Sequence, residues 1–450
     1  MANVITYGTF DFFHEGHLRI LERCRKLAGA EGRLFVGVTS ENYDRERGKL
    51  NVCESLMTRI DHIRESGLVD DVFVEEYEGQ KIEDIQRYNI DIFAIGSDWT
   101  GKYDYLNEWC KVVYLPRTQG ISSTQIRNAE SRILRAGIVG CGRIAERFVN
   151  EAHFVSGVNF EAVCNPDISL AQNFCGKTGI RSAYSSFDEM LEKVDAVYVA
   201  TPHTFHAEYA RRALIAGRHV LCEKPFTLNV EEAKELYNLA AEKGMVLQEA
   251  LKTAFAPGFR RLVQLAKGGV VGKIRQVRAS FTKLEKDYSL REFSAELGGG
   301  CVSELASYVL CPIVKILGVA ETDALHVHCL REPGLNVETF ATGMIEYAEA
   351  TATFTVGLTA KTEGDLIVAG SQGYIYVPSP WWKTDYFEIR NDMGNSVRRF
   401  YTPFAGDGLR YELADWLTAI KTKRASQCWT ANDSLTALSF LTVMRNQDGK

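Results

Sequence analysis

Residues 3–17, NVITYGTFDFFHEGH, decide the fold of the first part of the chain. An apolar run of strand character ends at Gly8, a loop follows, and a helix is predicted to begin near His14. Residues 134–148, LRAGIVGCGRIAERF, repeat this order of strand, glycine-rich loop and helix with different loop chemistry. Because strand, loop and helix make up the unit of a parallel α/β sheet, the two stretches predict two Rossmann-like domains in tandem.

Further apolar strands continue both patterns, and the pattern changes after Gly272. Segments such as residues 350–360, ATATFTVGLTA, alternate as antiparallel strands do, and the tail from Leu409 to about Arg445 is predicted to be helical. The predicted fold class is therefore α/β, with an α+β open-sheet domain after the two Rossmann-like ones. The predicted domains comprise residues 1–130, 133–255 and 256–450.

Composition narrows the class of protein. The 450 residues carry a net charge of -6, so no basic face indicates nucleic acid as a partner. No apolar run approaches the roughly 18 residues of a membrane span. The eleven cysteines form no C-x-x-C pair, which predicts reduced thiols and a cytoplasmic protein. We expect small-molecule substrates and a homo-oligomer, either a dimer or a tetramer.

The first loop carries groups suited to phosphate. Gly8 and Thr9 can bring backbone N–H groups close to an anion, and His14 and His17 lie where a helix N-terminus favours negative charge. Later, residues 117–127, RTQGISSTQIR, offer Arg117 and the hydroxyls of Ser122, Ser123 and Thr124 at another predicted helix start. A histidine pair alone is more often a surface feature, and two histidines without a further ligand pair do not predict a bound metal.

These stretches, with residues 96–106, GSDWTGKYDYL, resemble the glycerol-3-phosphate cytidylyltransferase family over about residues 3–128. The resemblance implies that CTP, together with Mg²⁺, transfers its cytidylyl group to an alcohol phosphate, and that His14 and His17 stabilise the transferring phosphoryl group. Trp99 is either part of this site or a core residue. Ser123 replaces a family threonine and keeps its hydroxyl, whereas the family's lysine-rich loop is reduced here to residues 45–49, RERGK.

The resemblance assigns two sets of contacts in this domain. The nucleotide-binding set is Thr9, Phe10, His14, His17, Asp98, Arg117, Thr118, Ile121, Ser122, Ser123 and Thr124. The set for the substrate phosphate is Lys49, Arg59 and Lys102.

The second loop has the spacing G-x-G-x-x-A at Gly140, Gly142 and Ala145. Directly after a strand, this spacing predicts a dinucleotide whose pyrophosphate approaches the helix N-terminus. The next predicted strand ends in residues 163–167, VCNPD. Asn165 is neither the acid that binds a ribose hydroxyl nor the arginine that accepts a 2′-phosphate, so the choice between NAD and NADP stays open.

Residues 200–214, 219–228 and 297–308 resemble the Gfo/Idh/MocA oxidoreductase family, and the likeness extends over about residues 134–445. It implies that Lys224, in the motif E-K-P, lies beside the nicotinamide. Glu304 and Tyr308 stand where that family often has an aspartate and, as acid or base, a histidine. This departure is similar to the branch containing glucose–fructose oxidoreductase and dihydrodiol dehydrogenase, in which a tyrosine takes that role. We expect Lys224 and Tyr308 to be catalytic, because an ammonium next to a tyrosine stabilises its phenolate and eases proton transfer.

The predicted cofactor contacts are Gly140, Gly142, Arg143, Ile144, Asn165, Thr201, Pro202, His206, Glu223 and Lys224. Of His203 and His206, one is expected to line the cofactor pocket, with a structural role as the alternative. His326 and His328, on a predicted strand, are interpreted as non-catalytic.

Three hypotheses follow for the whole chain. In the first, a reductase makes an alcohol phosphate from a carbonyl phosphate and the transferase activates it with CTP. In the second, the oxidoreductase acts on an unrelated or CDP-linked substrate. In the third, the second half is a non-catalytic cofactor-binding module, which would need neither Lys224 nor Tyr308.

Overall fold

In the computed structural model, the described residues are 2–11, 13–40, 43, 44, 52, 54, 56–77, 79–116 and 133–446. They form two compact units, and the chain passes from the first unit to the second between Ile133 and Leu134. We predict the junction between the first two domains near residues 127–132, which lie outside the described part of the chain. Within it, no helix combines the length and the apolar character that crossing a membrane requires.

The first unit is built on a five-stranded parallel sheet of order β3-β2-β1-β4-β5. Its strands are β1 Val4–Gly8, β2 Leu34–Thr39, β3 Asp71–Glu75, β4 Ile92–Gly96 and β5 Lys111–Leu115, and its helices are α1 Glu15–Ala28, α2 Leu56–Glu65 and α3 Gln80–Arg87. Buried β1 and β2 are apolar in both alternating positions, as expected of strands covered on both faces. The strand order reverses between β1 and β4, which leaves a crevice at their carboxyl ends.

The second unit begins with a six-stranded parallel sheet of order β11-β10-β9-β6-β7-β8. Its strands are β6 Leu134–Val139, β7 Val158–Cys164, β8 Ser182–Tyr184, β9 Ala196–Val199, β10 His219–Glu223 and β11 Leu247–Ala250. The helices are α4 Arg143–Ala152, α5 Ile168–Thr178, α6 Phe187–Leu191, α7 His206–Ile215, α8 Val230–Lys243 and α9 Lys252–Phe255. The α8 boundaries follow from their caps, since the Asn229 side chain accepts the Glu231 N–H at 2.8 Å and Gly244 ends the helix at a φ of 65°.

An eight-stranded sheet completes this unit in the order β13-β14-β15-β12-β16-β17-β18-β19. Its strands are β12 Ile274–Thr282, β13 Leu325–Leu330, β14 Phe340–Glu346, β15 Thr351–Gly357, β16 Leu366–Gly370, β17 Gly373–Val377, β18 Tyr386–Arg390 and β19 Ser396–Tyr401. The helices are α10 Pro257–Lys267, α11 Cys301–Leu317, α12 Leu409–Thr422 and α13 Ala431–Asn446, so the predicted helical tail is two helices.

The prediction of antiparallel strands is wrong for one pair in this sheet, because β12 and β15 run parallel. A parallel pair needs a crossover between its strands, and the almost completely buried α11 lies in that connection. The pairing brings the carboxyl ends of both strands to one edge of the sheet.

The predicted fold class is confirmed, with two parallel Rossmann-like sheets followed by a mixed open sheet. The predicted division at residue 256 falls between α9 and α10, inside the second compact unit. That division stays a prediction.

Candidate active sites

The two histidines of the first loop lie together at the start of α1. Their rings stack with centroids 3.9 Å apart and planes 19° from parallel. His14 caps the helix, because its Nδ1 accepts the Gly16 N–H at 3.0 Å. Since α1 follows β1 at the sheet crevice, both rings lie where the helix dipole and backbone N–H groups favour an anion.

The loop between β1 and α1 has an unusual backbone. Phe10 has a φ of 55°, rare for a residue with a side chain, and its buried ring lies 5.2 Å from the His17 ring between centroids. Thr9 is buried beside it, and its hydroxyl donates to Asp44 Oδ1 at 2.8 Å. These contacts hold the loop against the carboxyl end of the sheet.

Arg59, predicted to meet the substrate phosphate, is completely buried on α2. Its Nη1 donates to the carbonyl oxygens of Thr9 at 2.7 Å and Thr39 at 2.9 Å, so it ties together the loops that follow β1 and β2. Its Nε and Nη2 have no hydrogen-bond partner among the described residues. Its Nη1 also lies 3.5 Å from the buried Asp44 carboxylate, so only the unused Nε and Nη2 donors are available to a bound anion.

The remaining described residues of this set follow β4, the neighbour of β1. Asp98 lies in the short 3₁₀ turn Ser97–Trp99. The Lys102 ammonium lies 4.5 Å from the centroid of the Trp99 ring, which is the distance of a cation–π contact. Seven predicted residues lie outside the described part of the chain: Lys49, Arg117, Thr118, Ile121, Ser122, Ser123 and Thr124.

The second unit contains a cavity of about 1130 Å³, which both of its sheets help to line. This volume exceeds the usual range for one small ligand, so there is room for a dinucleotide and a substrate. A Cβ on Gly142 would meet nothing within 4 Å, which leaves the open approach that a pyrophosphate needs. Gly140 has a φ of 101°, and a Cβ there would lie 2.4 Å from the Ala200 carbonyl oxygen.

Lys224 follows β10 and precedes a cis peptide bond to Pro225. Its ammonium donates to the backbone carbonyl of Glu304 at 2.8 Å and lies 5.5 Å from the centroid of the Tyr308 ring. Glu304 and Tyr308 are four residues apart on α11 and therefore share a helix face. The structure thus brings the two predicted catalytic side chains together at the cavity.

Glu304 connects the charges around Lys224, a role that the sequence did not reveal. Its carboxylate lies 3.9 Å from the Lys224 ammonium, 3.0 Å from Arg291 Nη1 and 3.6 Å from His203 Nε2. Arg291 lies in the 3₁₀ turn Arg291–Phe293, which carries no motif. The sequence signals for Glu304 were its place at the position of the family's frequent aspartate and its location one helical turn before Tyr308.

The electrostatics of Tyr308 differ from the expectation of a stabilised phenolate. Burial raises the pKa of Tyr308 well above its ordinary value, and the carboxylates of Glu223 and Glu412 raise it further. The pKa of Tyr308 stays raised although the Lys224 ammonium lies 5.5 Å from the centroid of its ring. Tyr308 is therefore held in its protonated form, which is the form that can donate a proton.

His203 and His206 are both buried. The His206 nitrogens lie 2.9 Å from the Pro225 carbonyl oxygen and 2.8 Å from that of Thr201, and burial lowers its pKa to about 4. Burial also lowers the pKa of His203, with the charge of Lys224 adding to the effect. His203 Nδ1 faces the Gly298 carbonyl at 3.0 Å, so the neutral ring has its proton there and none on Nε2.

Comparison with known proteins matches three family models to consecutive parts of the chain. One for cytidylyltransferase-like proteins matches residues 5–129. One for the oxidoreductase family with an NAD-binding Rossmann fold matches residues 134–251, and one for the GFO/IDH/MocA C-terminal domain matches residues 259–376.

Two curated relatives match the two halves. The glycerol-3-phosphate cytidylyltransferase of Bacillus spizizenii is 46% identical over 127 residues, which are 28% of this chain and 95% of that protein. The trans-1,2-dihydrobenzene-1,2-diol dehydrogenase of Macaca fascicularis is 30% identical over 254 residues, 55% of this chain and 75% of that protein. The chain belongs to both families, cytidylyltransferase-like and Gfo/Idh/MocA.

A solved structure supports the fold of the Gfo/Idh/MocA part. The 3-ketoreductase KijD10 from Actinomadura kijaniata, in complex with NADP and TDP-benzene, has a TM-score of 0.62 and 24% identity. The match covers 70% of this chain and 97% of that one. The chain thus carries a cytidylyltransferase domain and an NAD(P)-dependent oxidoreductase domain.

In the oxidoreductase domain, every predicted cofactor contact and both predicted catalytic residues line the cavity. They are Gly140, Gly142, Arg143, Ile144, Asn165, Thr201, Pro202, His206, Glu223, Lys224 and Tyr308. Charged lining residues that were not predicted include Lys252, Lys283, Arg291, Glu292, Glu304 and Lys361. His326 is exposed on β13, and His328 is not among the lining residues either.

Glu223 belongs to the buried part of this site. Its Oε1 accepts the Tyr198 hydroxyl at 2.7 Å, and burial raises the pKa of its carboxyl group. No group of three or more His, Cys, Asp or Glu side chains suited to a metal ion occurs among the residues that the structure describes.

Proposed function

We propose that this chain is a bifunctional enzyme that makes a CDP-alcohol in two steps. The oxidoreductase domain reduces a carbonyl phosphate to an alcohol phosphate, and the cytidylyltransferase domain joins that phosphate to CMP from CTP with release of pyrophosphate. The observation that carries the proposal is the pairing of Lys224 with Tyr308 at a cavity that also contains the glycine loop. A non-catalytic cofactor-binding module would need neither side chain.

In the transferase reaction, a phosphate oxygen of the alcohol phosphate attacks the α-phosphorus of CTP, and the bond to pyrophosphate breaks. The attacking group is already an anion, so the obstacle is crowded negative charge. His14 and His17, at the α1 N-terminus, are proposed to donate hydrogen bonds to the phosphoryl oxygens as charge accumulates. The further contacts proposed for the nucleotide, which brings Mg²⁺ with it, are Thr9, Phe10, Asp98, Arg117, Thr118, Ile121, Ser122, Ser123 and Thr124. Those proposed for the substrate phosphate are Lys49, Arg59 and Lys102.

In the oxidoreductase reaction, a reduced nicotinamide cofactor held by the loop of Gly140 and Gly142 and by Lys224 would supply a hydride for the carbonyl carbon. The proposed contribution of the protein is at the carbonyl oxygen. Lys224, held by the Glu304 carbonyl at 2.8 Å, orients and polarises that oxygen. Tyr308, held protonated, gives it a proton, and the resulting phenolate recovers a proton from solvent.

The two reactions fit one order. Reduction of a ketose or aldose phosphate gives an alditol phosphate, whose free phosphate is the nucleophile that the transferase needs. The product is therefore a CDP-alditol of the CDP-glycerol or CDP-ribitol type, a precursor suited to a surface polymer.

The test supplies a carbonyl phosphate, such as dihydroxyacetone phosphate or ribulose 5-phosphate, with NADH or NADPH. The loss of nicotinamide absorbance without CTP, followed by pyrophosphate release once CTP is added, is the expected result. Absence of reduction for all carbonyl phosphates tried would contradict the proposed substrate class.

A second candidate is reduction of a nucleotide-linked carbonyl compound. It is supported by KijD10, a protein of the same fold whose structure contains both NADP and TDP-benzene, and by the volume of the cavity. In this case reduction would require a preformed CDP-linked carbonyl compound, and the same assay with that substrate separates the two candidates.

A further inference from the structure

The cations of the oxidoreductase cavity fall into two groups. The first group has carboxylate partners: Arg143 lies 2.6 Å from Glu292, and Arg291 lies 3.0 Å from Glu304. Lys224 also lies 3.9 Å from the Glu304 carboxylate. These three cations thus share the two carboxylates of Glu292 and Glu304.

The second group has no ion pair among the described residues and comprises the lining lysines Lys177, Lys252, Lys283, Lys361 and Lys383. Two of them, Lys283 and Lys361, follow paired strands of the same sheet. In the part of the chain that the structure describes, neither ammonium forms an ion pair. Lys361 Nζ donates only to a neutral acceptor, the Thr282 carbonyl oxygen at 3.1 Å. Two positive charges thus face the cavity without a carboxylate of their own.

The parallel pairing of β12 and β15 places these two lysines together. Lys283 directly follows β12, and its backbone N–H donates to the Gly357 carbonyl at 2.8 Å, at the end of β15. Lys361 lies four residues beyond that end, and its ammonium reaches back to the residue before Lys283. The two side chains are therefore held at one edge of the sheet.

This edge is next to the reacting groups. The Phe281 ring, two residues before Lys283, lies 5.1 Å from the Tyr308 ring between centroids and stacks on Trp382 at 3.8 Å. The pKa of Lys283 is lowered by desolvation and, to a smaller extent, by the positive charges of Lys224 and Arg143. The carboxylates of Glu304 and Glu292 partly oppose this shift by raising the pKa. Lys283 is thus within electrostatic reach of Lys224.

We propose that Lys283 and Lys361 form a phosphate subsite for the substrate of the oxidoreductase domain. The inference rests on the proposed reduction of a phosphorylated carbonyl compound and identifies the residues that would recognise its phosphate. A phosphate monoester and the diphosphate of a CDP-linked carbonyl compound offer the same anionic oxygens, so both belong to the ligand class. A lysine binds such oxygens as a point charge, and two lysines match a dianion.

The experiment compares Lys283→Gln, Lys361→Gln and the double variant with the parent enzyme. Each single change is expected to raise the KM for a carbonyl phosphate about tenfold, and the double change about a hundredfold, through lost charge-assisted hydrogen bonds. The KM for NAD(P)H and the rate with unphosphorylated dihydroxyacetone or ribulose should change less than about twofold. Parallel assays with a CDP-linked carbonyl compound identify which phosphate source the lysines serve.

The matched control is Lys383→Gln, because Lys383 also lines the cavity but its ammonium lies over the Phe404 ring, 5.8 Å from the centroid. It should leave the KM for the phosphorylated substrate within about twofold of the parent value. A rise in the KM for NAD(P)H in the double variant, or an unchanged KM for the phosphorylated substrate, would overturn the subsite.

A second measurement separates this inference from the proposed function. Inorganic phosphate is titrated into enzyme loaded with NAD(P)H, and the fluorescence of the bound nicotinamide reports only on the oxidoreductase site. A saturable change in the parent enzyme that the double variant lacks supports the subsite even if no carbonyl phosphate is reduced. An identical response in both enzymes, or none in the parent, overturns the subsite.

Discussion

The chain contains two histidine pairs with the same spacing, and the structure places them in opposite environments. His14 and His17 stack at the N-terminus of α1, at the ligand crevice of the first sheet. His203 and His206 are buried, with ring planes 74° apart and backbone carbonyls as their neighbours. Spacing alone therefore does not determine the environment of a histidine pair. Both pairs follow the carboxyl end of a parallel strand at the start of a helix, and the second pair differs by its burial.

The two candidate active sites also differ in the groups proposed to stabilise charge and to donate a proton. At the first site, the reacting groups are proposed to be anions that accept hydrogen bonds from histidines at a helix start. At the second site, burial lowers the pKa of both histidines, and the proposed proton donor is Tyr308, whose pKa is raised by burial.

The largest effect is expected for Tyr308→Phe, which removes the hydroxyl and keeps the ring. Carbonyl reduction should fall by about 10²–10⁴-fold, because a positioned general acid is lost. NAD(P)H binding, measured by fluorescence titration, should stay nearly unchanged. Lys224→Ala should also reduce turnover, and the double variant should lose less than the product of the single effects, since the two residues act as a unit.

The matching control is His203→Gln, which should leave much more reductase activity than Tyr308→Phe. If Tyr308→Phe transferred hydride at the parental rate and His203→Gln did not, the acid would be the buried histidine and the contrast between the two pairs would fail.

For the pair at the α1 N-terminus, His17→Ala should reduce cytidylyl transfer by about 10²-fold or more, the effect of removing one preorganised donor. Pyrophosphate release measures this rate. Reduction by the other domain should continue unchanged in the same preparation, which shows that the protein is folded. A parental transfer rate would remove His17 from the site.

The next prediction tests the buried pair through pH. The pKa of His206 is lowered from 6.5 to about 4. Between these two pH values the histidine is protonated in the unfolded chain and neutral in the folded protein. The free energy of unfolding should then be fully retained above pH 6.5 and fall as the pH drops towards 4, by about 3 kcal/mol for this group. His206→Gln should weaken that pH dependence, as measured by urea unfolding between pH 7 and 4.

His326→Gln provides the control, because His326 is exposed on β13. Its removal should leave the pH dependence unchanged. Equal slopes for the parent and His206→Gln would mean that the buried ring is charged in the folded protein.

The smallest effect concerns the cap of α1. His14→Ala removes the acceptor of the Gly16 N–H and should cost about 1 kcal/mol of stability. His14→Asn restores a capping side chain and should recover most of this loss, while cytidylyl transfer stays low in both variants. Thermal unfolding and pyrophosphate release measure the two quantities. If His14→Asn transferred cytidylyl groups at the parental rate, the role of His14 would be structural only.

Local patterns in the sequence were sufficient for most of the architecture. Apolar runs followed by loops at Gly8 and Gly140 predicted the two parallel sheets, and Asn229 and Gly244 marked the ends of α8. These features depend on periodicity and backbone conformation, which neighbouring residues control. The assignment of Lys224 and Tyr308 to one site came instead from the family resemblance and not from a local pattern.

What the tertiary structure decided is what depends on residues far apart in sequence. The parallel pairing of β12 with β15 brought Lys283 and Lys361 to one edge, and the contacts of Glu304 with Arg291 and Lys224 joined three elements. The raised pKa of Tyr308 likewise comes from burial and from carboxylates such as Glu412, more than a hundred residues away. Burial and charge act through space, so the sequence by itself determined the elements and their order, while only the packed fold decided the protonation and pairing of the groups.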